Sequence, residues 1–324
     1  MSDSEIQSSK WQQKITGDWH GMPSVFDPSG SHIGYNKVSR ASIFEGNRTT
    51  YTMDTDLRVT GPLQARFEAR DFRFGVIDDD QNRIYTGPDF FGAGHPYGMM
   101  VDAHYYSPCW LSDLRTMVHI LPDGQTQVYS SLLYDGPTIC GVFNGVYKQA
   151  SDYGTNPETT STIDAFIAQE EKDGPKPHVL PMKDRGYWSG QFEVYQANAQ
   201  PVGSCDVRVN YTPITLLTAD VHVQLQGAIN KEYRYRRSRH TMRHSFDGPD
   251  LFGNAMGYGR ALYTSQHFHG EALKIQGREF IIDHNYTMSV VWKFFASDQT
   301  EHVAFGVLKW QAEDRVLDAT YLAK

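Results

Sequence analysis

The hydrophobic positions of this chain fall in short extended runs separated by turn residues, which is the pattern of β-strands. Residues 116–134, TMVHILPDGQTQVYSSLLY, form two such runs around a Pro-Asp-Gly turn and predict a hairpin. Residues 278–295 and 302–310 are rich in β-branched and aromatic residues. Turn signals recur roughly every 8–12 residues and the runs do not alternate with helical patterns, so we predict a sandwich or an up-and-down barrel rather than a parallel α/β sheet.

One twelve-residue stretch occurs twice. Residues 87–98 read GPDFFGAGHPYG and residues 248–259 read GPDLFGNAMGYG, 161 positions further on. The same offset aligns GVYK at 145–148 with GVLK at 306–309, and GDWHG at 17–21 resembles GYWSG at 186–190. A fixed internal repeat indicates a duplicated structural unit. We expect Gly-Pro-Asp to form a turn, with Phe91 and Phe252 packed inward.

The repeat sets the predicted domain organisation, which is a first barrel at 1–150, a helical linker at 151–183 and a second barrel at 184–324. Within the linker, about residues 159–172 predict one short helix. Ser161 or Thr162 could cap it, and Ile163, Phe166 and Ile167 form its apolar stripe. The Gly-Pro-Lys-Pro stretch that follows is typical of a linker.

Composition narrows the function classes. The 324 residues carry a net charge of -8, which argues against a nucleic-acid partner because phosphate binding needs a basic excess. No run is long and apolar enough for a membrane helix, and the first residues lack the features of a signal peptide. Three scattered cysteines do not make a disulfide framework, so we expect a cytoplasmic protein. Aromatic residues reach 13%, which suits aromatic-lined cavities.

The G-x-W segments at Trp19 and Trp188, each near the first strand of an all-β repeat, resemble the lipocalin (calycin) signature. Residues 17–30, GDWHGMPSVFDPSG, also resemble an uncharacterised lipocalin-like family, and the doubled arrangement is similar to two-lipocalin hydratases and cyclases of secondary metabolism. The resemblance implies two tandem lipocalin-like antiparallel β-barrels. It further implies that each tryptophan closes a barrel end, with Lys148 or Lys309 packed over it.

Ionisable residues that face a barrel interior would be the informative ones, since an interior without function is filled by apolar side chains. Along 100–107, alternation places Val101, Ala103 and Tyr105 on one face and the other residues on the opposite face. The best acid–base candidates are Asp102, His104, Tyr106, Tyr263, His267 and His269. Periodicity alone does not identify which face of their strands points inward. Predicted substrate contacts at the barrel mouths are Asp89, Asp250, Tyr97, Tyr258 and Arg260.

The sequence contains three other candidate sites. The spacing of His267 and His269 on a strand is that of many metal-ligand pairs, and His240 and His244 would share a side if their segment is extended. Asp283 and His284 could add a third ligand. Two histidines alone do not make a site, so we predict no metal and no cofactor. A histidine could also bind haem axially. The arginine-rich run at 233–244 is either a solvated strand or a carboxylate clamp, with Arg234, Arg236 and Ser238 on one face and Tyr235, Arg237 and Arg239 on the other.

Two functions follow. The first is a cofactor-independent enzyme, of isomerase, cyclase, hydratase or lyase type, that moves one proton on a small, largely apolar or aromatic metabolite. The alternative is a non-catalytic carrier of a lipid, pigment or terpenoid. A buried His–Asp or His–Tyr pair facing the cavity would favour the enzyme, and a wholly apolar cavity would favour the carrier. Partners are therefore a small molecule and, as an open alternative, a second copy in a homodimer.

Overall fold

The structure, a computed structural model, describes residues 9–45, 48–67, 71–283 and 286–316. The chain divides into two compact units, residues 1–176 and 177–324, and each contains one closed antiparallel barrel. The predicted all-β, two-barrel fold is therefore confirmed.

The first barrel is a meander in which, from β2 onward, each strand pairs with the next along the chain. Its described strands are β1 (Trp19–Gly21), β2 (Ser24–Phe26), β3 (His32–Glu45), β4 (Arg48–Val59), β5 (Phe72–Asp78), β6 (Arg83–Thr86), β7 (Phe91–Tyr97), β8 (Met100–Ser107), β9 (Ser112–Ile120), β10 (Thr126–Asp135) and β11 (Thr138–Gln149). Both β1 and β2 pair with β3 on one side and β11 on the other, which closes the sheet. Pro23 separates these two pieces because it has no backbone N–H for the ladder.

The second barrel repeats this path with ten strands in the part of the chain that the structure describes. They are β12 (Asp184–Gln196), β13 (Pro201–Pro213), β14 (Thr218–Gly227), β15 (Lys231–His240), β16 (Arg243–Asp247), β17 (Leu251–Tyr258), β18 (Ala261–Phe268), β19 (Leu273–Ile281), β20 (Thr287–Ala296) and β21 (Gln299–Arg315). Here β12 is a single long strand that pairs with β13 and β21, so it takes the place that β1 and β2 share in the first barrel.

Two α-helices accompany the strands over the described residues. The predicted helix is α2 (Pro157–Asp173), and Ile163 and Ile167 are buried against Met22 of the first unit. Its N-cap is Asn156, whose side chain accepts from the N–H of Glu158 and Thr159; the predicted caps lie inside the helix. The helix starts after Asn156, and not at the predicted caps, because Pro157 favours the first helical position. The sequence reasoning missed α1 (Lys10–Ile15), a short helix capped by Ser9.

The two signature tryptophans are buried in the barrel cores. Trp19 is 0% exposed and its Nε1 donates to Ile15 O at the end of α1, at 2.9 Å. Trp188 is 1% exposed and packs against Trp310, with ring centroids 5.4 Å apart. The expected lysine partners behave differently, because Lys148 donates to Thr126 and Lys309 is exposed.

Candidate functional site

The repeated motif holds neighbouring strands together in both barrels. Asp89 accepts a hydrogen bond from the backbone N–H of Arg73 at 2.7 Å, and Asp250 accepts the equivalent bond from Arg234 at 2.6 Å. A Cβ on Gly92 would lie 2.4 Å from His104 O, and one on Gly253 would lie 2.3 Å from Ser265 O. The motif therefore needs glycine for close strand approach, and both aspartates cap a backbone donor.

The aromatic position of the motif was assigned to the wrong face. Phe91 and Phe252 are each 52% exposed, whereas Phe90 and Leu251 are buried. The strand β7 begins at Phe91 and β17 begins at Leu251, and in both copies the inward side chain is the one immediately before the predicted phenylalanine.

The other predicted substrate contacts lie at the hairpins that follow the motif. Tyr97 and Tyr258 are both 3% exposed, and Tyr258 packs edge-on against Tyr263. Arg260 donates to Ile282 O at 3.2 Å and lies 5.0 Å from the Phe280 ring centre. These residues, like Asp89 and Asp250, are not among the side chains that line the interior cavities of the described barrels. The contacts given above are local packing contacts within the barrel walls.

In the first barrel, the acid–base candidates of β8 face outward. Val101 and Ala103 are each 2% exposed, and Tyr105 lines the interior. Asp102, His104 and Tyr106 therefore share the outer face, and the His104 side chain is 59% exposed, 3.7 Å from Asp113. The predicted grouping by face is correct, but Asp102 and His104 are not among the side chains that line the interior cavity of the described barrel, because the apolar face is the buried one.

The equivalent strand β18 has the same orientation. Thr264 and Gln266 line the interior, so Tyr263, His267 and His269 lie on the opposite, outer face. Phe252 stacks on His267 with ring centroids 5.2 Å apart. Phe252 also lies 5.6 Å from the His269 ring, so aromatic contacts on the outer face account for this histidine pair without a ligand.

No group of three or more His, Cys, Asp or Glu side chains could hold a metal ion within the described ranges. His240 is exposed and His244 is buried, so the two do not present one set of ligands. His284 lies outside the described residues. Nor does any helix of the described part have the length and apolarity needed to cross a membrane.

The interior of the first barrel encloses a cavity of about 80 Å³. Aromatic rings from α1 and from strands around the barrel form most of its wall, together with two arginines. Its polar or ring-bearing lining includes Trp11, Asn36, Arg40, Tyr51, Phe74, Arg83, Tyr85, Phe90, Tyr105, Thr116, Tyr129, Phe143 and Tyr147. A water molecule needs about 10–15 Å³ by this measure, so the space exceeds that of a single water.

Arg83 is held by a complete network. It is 4% exposed, its Nη1 donates to Asp78 Oδ2 at 2.5 Å, and its Nη2 donates to Tyr51 Oη at 2.9 Å. Asp78 also accepts from Ser9 Oγ at 2.9 Å, so the ion pair fixes the start of α1. Trp11 and Ile15 of α1 line the cavity. The buried ion pair therefore helps to hold α1 against the cavity.

Arg40 differs from Arg83 because it has no carboxylate partner among the described residues. Its Nη2 donates to Gln127 Oε1 at 3.3 Å, while its Nε is buried without a hydrogen-bond partner. Burial lowers the pKa of the Arg40 guanidinium. Two more polar atoms of this cavity lack partners in the described part of the chain, Trp11 Nε1 and Asn36 Oδ1. Unsatisfied buried polar atoms are rare in folded proteins and call for a water or a ligand.

A chain of hydroxyls leads from the cavity wall into the sheet. Tyr105 Oη lies 2.9 Å from Thr116 Oγ1, which lies 2.8 Å from Ser131 Oγ. Burial raises the pKa of Tyr105 well above its usual value, and it also raises the pKa of Tyr85 and Tyr147. These tyrosines are therefore neutral hydrogen-bond donors at physiological pH.

The second barrel is nearly filled, with an interior space of about 20 Å³. Its polar centre is Arg237, 6% exposed, which donates through Nη1 to Glu279 Oε2 at 3.2 Å. The same guanidinium donates through Nε to His244 Nδ1 at 3.1 Å and approaches His178 Nδ1 at 3.4 Å through Nη2. The inward side of the arginine-rich run thus forms a buried ion pair, while Arg234 and Arg236 are exposed.

Both histidines around Arg237 are held in the neutral form. Burial lowers the pKa of His178 well below its usual value, and the charge of Arg237 adds to the effect. Burial and the nearby Arg237 lower the pKa of His244 to about 2. Each Nδ1 faces an arginine donor and must keep its lone pair, which is the geometric reason for neutrality.

No family model matches the chain, and no curated protein matches it. Its fold is similar to that of a protein of unknown function from the DUF3598 family of Nostoc punctiforme, with 10% identity, a TM-score of 0.58, and coverage of 94% of this chain and 99% of that chain. Kievitone hydratase from Nectria haematococca has 6% identity, a TM-score of 0.22, and coverage of 97% and 93%. An AttH-like protein from Nitrosomonas europaea has 8% identity, a TM-score of 0.18, and coverage of 94% and 97%. The first of these shows a shared fold alone, and the two lower scores carry no argument for this chain.

The residues that mark the first cavity were missed in the sequence. Arg40 lies in VSRASI and Arg83 in NRIYT, and neither segment has a motif that points to a site. The available signal was the alternation itself, because Arg40 shares a face with Val38, and Arg83 shares one with Tyr85.

Proposed function

We propose that the first barrel is a binding cavity for a small metabolite and that the second barrel is a filled structural partner. The observation that carries this proposal is the cavity of about 80 Å³ with unsatisfied polar atoms on Arg40, Trp11 and Asn36. A polar, partly aromatic wall favours a ligand that is less apolar than the lipid or terpenoid considered from the sequence. Ligand sites combine such apolar walls with a few placed polar groups.

The two copies differ at the positions that make this cavity. The cross-strand partner of Trp19 is Arg40, whereas that of Trp188 is Val209. The repeat offset also pairs Tyr105 with Gln266 and Tyr147 with Leu308. These different residues accompany the smaller interior of about 20 Å³ in the second barrel. The duplication therefore supports one specialised barrel rather than two equivalent sites.

The test is native mass spectrometry of the whole chain purified from its host, followed by extraction of any bound compound. We expect a stoichiometric small molecule. When it is added back to stripped protein, hydrogen exchange should slow in α1, β3 and β8, which contribute Trp11, Arg40 and Tyr105 to the cavity. The strands β14 and β15 of the second barrel should exchange at an unchanged rate.

Protection confined to the second barrel, or to neither barrel, would contradict the proposal. Because the readout follows backbone exchange, it identifies the barrel that holds the compound without a substitution that could itself unfold the protein. It also separates a ligand bound inside from one attached to the outer face around His267.

A second function, cofactor-independent proton transfer, is favoured by the hydroxyl chain Tyr105–Thr116–Ser131. A neutral tyrosine in a cavity with a guanidinium could donate a proton while the arginine stabilises developing negative charge. The described lining of this cavity contains no histidine or carboxylate, so Tyr105 would be the acid. The acid–base roles predicted for the outward histidines are not part of this proposal.

Conversion of the extracted compound separates the enzyme from the carrier. We expect Tyr105→Phe to retain ligand binding and to lower turnover about 100-fold or more, the usual contribution of a general acid. Tyr106→Phe, on the outer face of the same strand, is the matched control and should turn over normally. Equal, measurable rates for the Tyr105 variant and the wild type would exclude Tyr105 as the acid, and no conversion by either protein would leave the carrier function alone.

A further inference from the structure

We infer that the cavity of the first barrel takes a small aromatic carboxylate, with Arg40 as the residue that binds its anionic group. This inference rests on the proposed function, since it names the chemical class of the ligand for that cavity.

The first step is the charge inside the barrel. Two guanidiniums, those of Arg40 and Arg83, line the cavity. Arg83 is neutralised by Asp78 at 2.5 Å. Arg40 forms no ion pair within the described ranges, and the high pKa values of Tyr85, Tyr105 and Tyr147 keep those hydroxyls uncharged. The interior thus carries one positive charge that nothing in the described wall balances.

The second step is the set of donors that are left over. A guanidinium has five N–H donors, and Arg40 uses one of them within the described part of the chain, toward Gln127. Trp11 Nε1, which lines the same cavity, is a further donor without a partner among the described residues. Unused N–H donors around a positive charge match the oxygens of a carboxylate, which arginine binds with two parallel bonds.

The third step is the shape and character of the rest of the wall. Rings of Tyr51, Phe74, Tyr85 and Tyr105 surround the space, with Tyr51 and Phe74 stacked at 5.0 Å. Aromatic walls favour a flat aromatic ligand through offset and edge-on contacts. The size of about 80 Å³ excludes a long acyl chain, so the class is a small ring acid rather than a fatty acid.

Benzoate and benzamide test the inference, because they have the same ring and planar head group but differ in charge. By isothermal titration calorimetry on the whole chain, we expect benzoate to bind at least about tenfold more tightly than benzamide. Arg40→Met should weaken benzoate binding about tenfold or more and leave benzamide unchanged. Arg40→Lys should give an intermediate loss, since lysine keeps the charge but not the two parallel bonds. Arg58→Gln, an exposed arginine of the same unit, is the control and should bind benzoate normally.

Thermal unfolding shows whether the Arg40 variant is merely misfolded. Removing a buried charge without a partner should leave the melting temperature equal or higher, so lost binding together with retained stability supports a binding role. Equal affinities for benzoate and benzamide would overturn the anionic class but not the cavity. Displacement of benzoate by physiological chloride would assign the site to an inorganic anion and overturn the organic class. Failure of both probes, while a co-purified compound still protects β3 and β8, would overturn this inference and leave the proposed function intact.

Discussion

Asp78→Ala should destabilise the first barrel by about 3–5 kcal/mol, because it leaves the Arg83 guanidinium buried without its carboxylate. Both side chains are almost fully covered, at 4% and 2% exposure, so solvent cannot replace the lost partner. The substitution also removes the acceptor of Ser9 Oγ, which caps α1. We therefore expect faster hydrogen exchange in α1 together with a lower midpoint of urea-induced unfolding.

A double variant distinguishes loss of the pair from damage to the fold. Asp78→Ala combined with Arg83→Met removes both charges and should recover much of the lost stability, since an apolar replacement of a buried pair is often close to neutral. Asp56→Ala breaks the exposed pair with Arg58 on the same unit and should leave the unfolding midpoint unchanged. An Asp78 variant as stable as the wild type would show that the pair does not hold α1 in place.

The duplicated architecture could be predicted from the sequence because it depends on local, repeated signals. The glycines of the motif allow close approach of the following strand, and the aspartates accept a hydrogen bond from the backbone of an earlier strand. Their spacing is therefore the same in both copies. The hairpin around Gly124 and the helix stripe at Ile163 and Ile167 likewise depend on residues close in sequence. Such features need no knowledge of which residues meet across the barrel.

The candidate site could not be predicted, because it depends on which strand face points inward and on what lies opposite. Alternation grouped His104 with Asp102 correctly, yet the interior received Tyr105 instead. The more apolar composition of that face was a usable signal in β8. Alternation places Arg40 on the same face as Val38, but its role follows from the lack of a carboxylate partner among the described residues, which alternation does not reveal.

The comparison of the two interiors suggests how each copy tolerates buried charge. In the second barrel, Arg237 is matched by Glu279 and by two neutral histidines, which completes its hydrogen bonds and leaves little space. In the first barrel, Arg40 has no carboxylate or histidine partner among the described residues, and it lines an open cavity. A buried charge that the fold does not balance is costly and is retained where a ligand supplies the balance.

Stability should fall as the pH drops below about 6.5, and the second barrel should account for much of the loss. The folded state lowers the pKa of His178 and His244, so both stay neutral, whereas the unfolded chain takes up protons near the ordinary histidine pKa of about 6.5. The unfolded state then binds more protons, and each histidine costs about 1.4 kcal/mol per pH unit below that value. Protonation inside the barrel is opposed by Arg237 and Arg239, while Glu279, 3.5 Å from His178, offsets only part of this repulsion.

Urea unfolding of the whole chain between pH 7 and pH 4.5 measures the slope. The double variant His178→Gln, His244→Gln keeps an acceptor for Arg237 but cannot bind a proton, so its stability should depend less steeply on pH than that of the wild type. His269→Gln, on the outer face, should follow the wild-type curve. Parallel curves for the double variant and the wild type would mean that groups other than these two histidines govern the acid response. A flatter curve would instead identify the Arg237 cluster as the acid-sensitive centre of the second barrel.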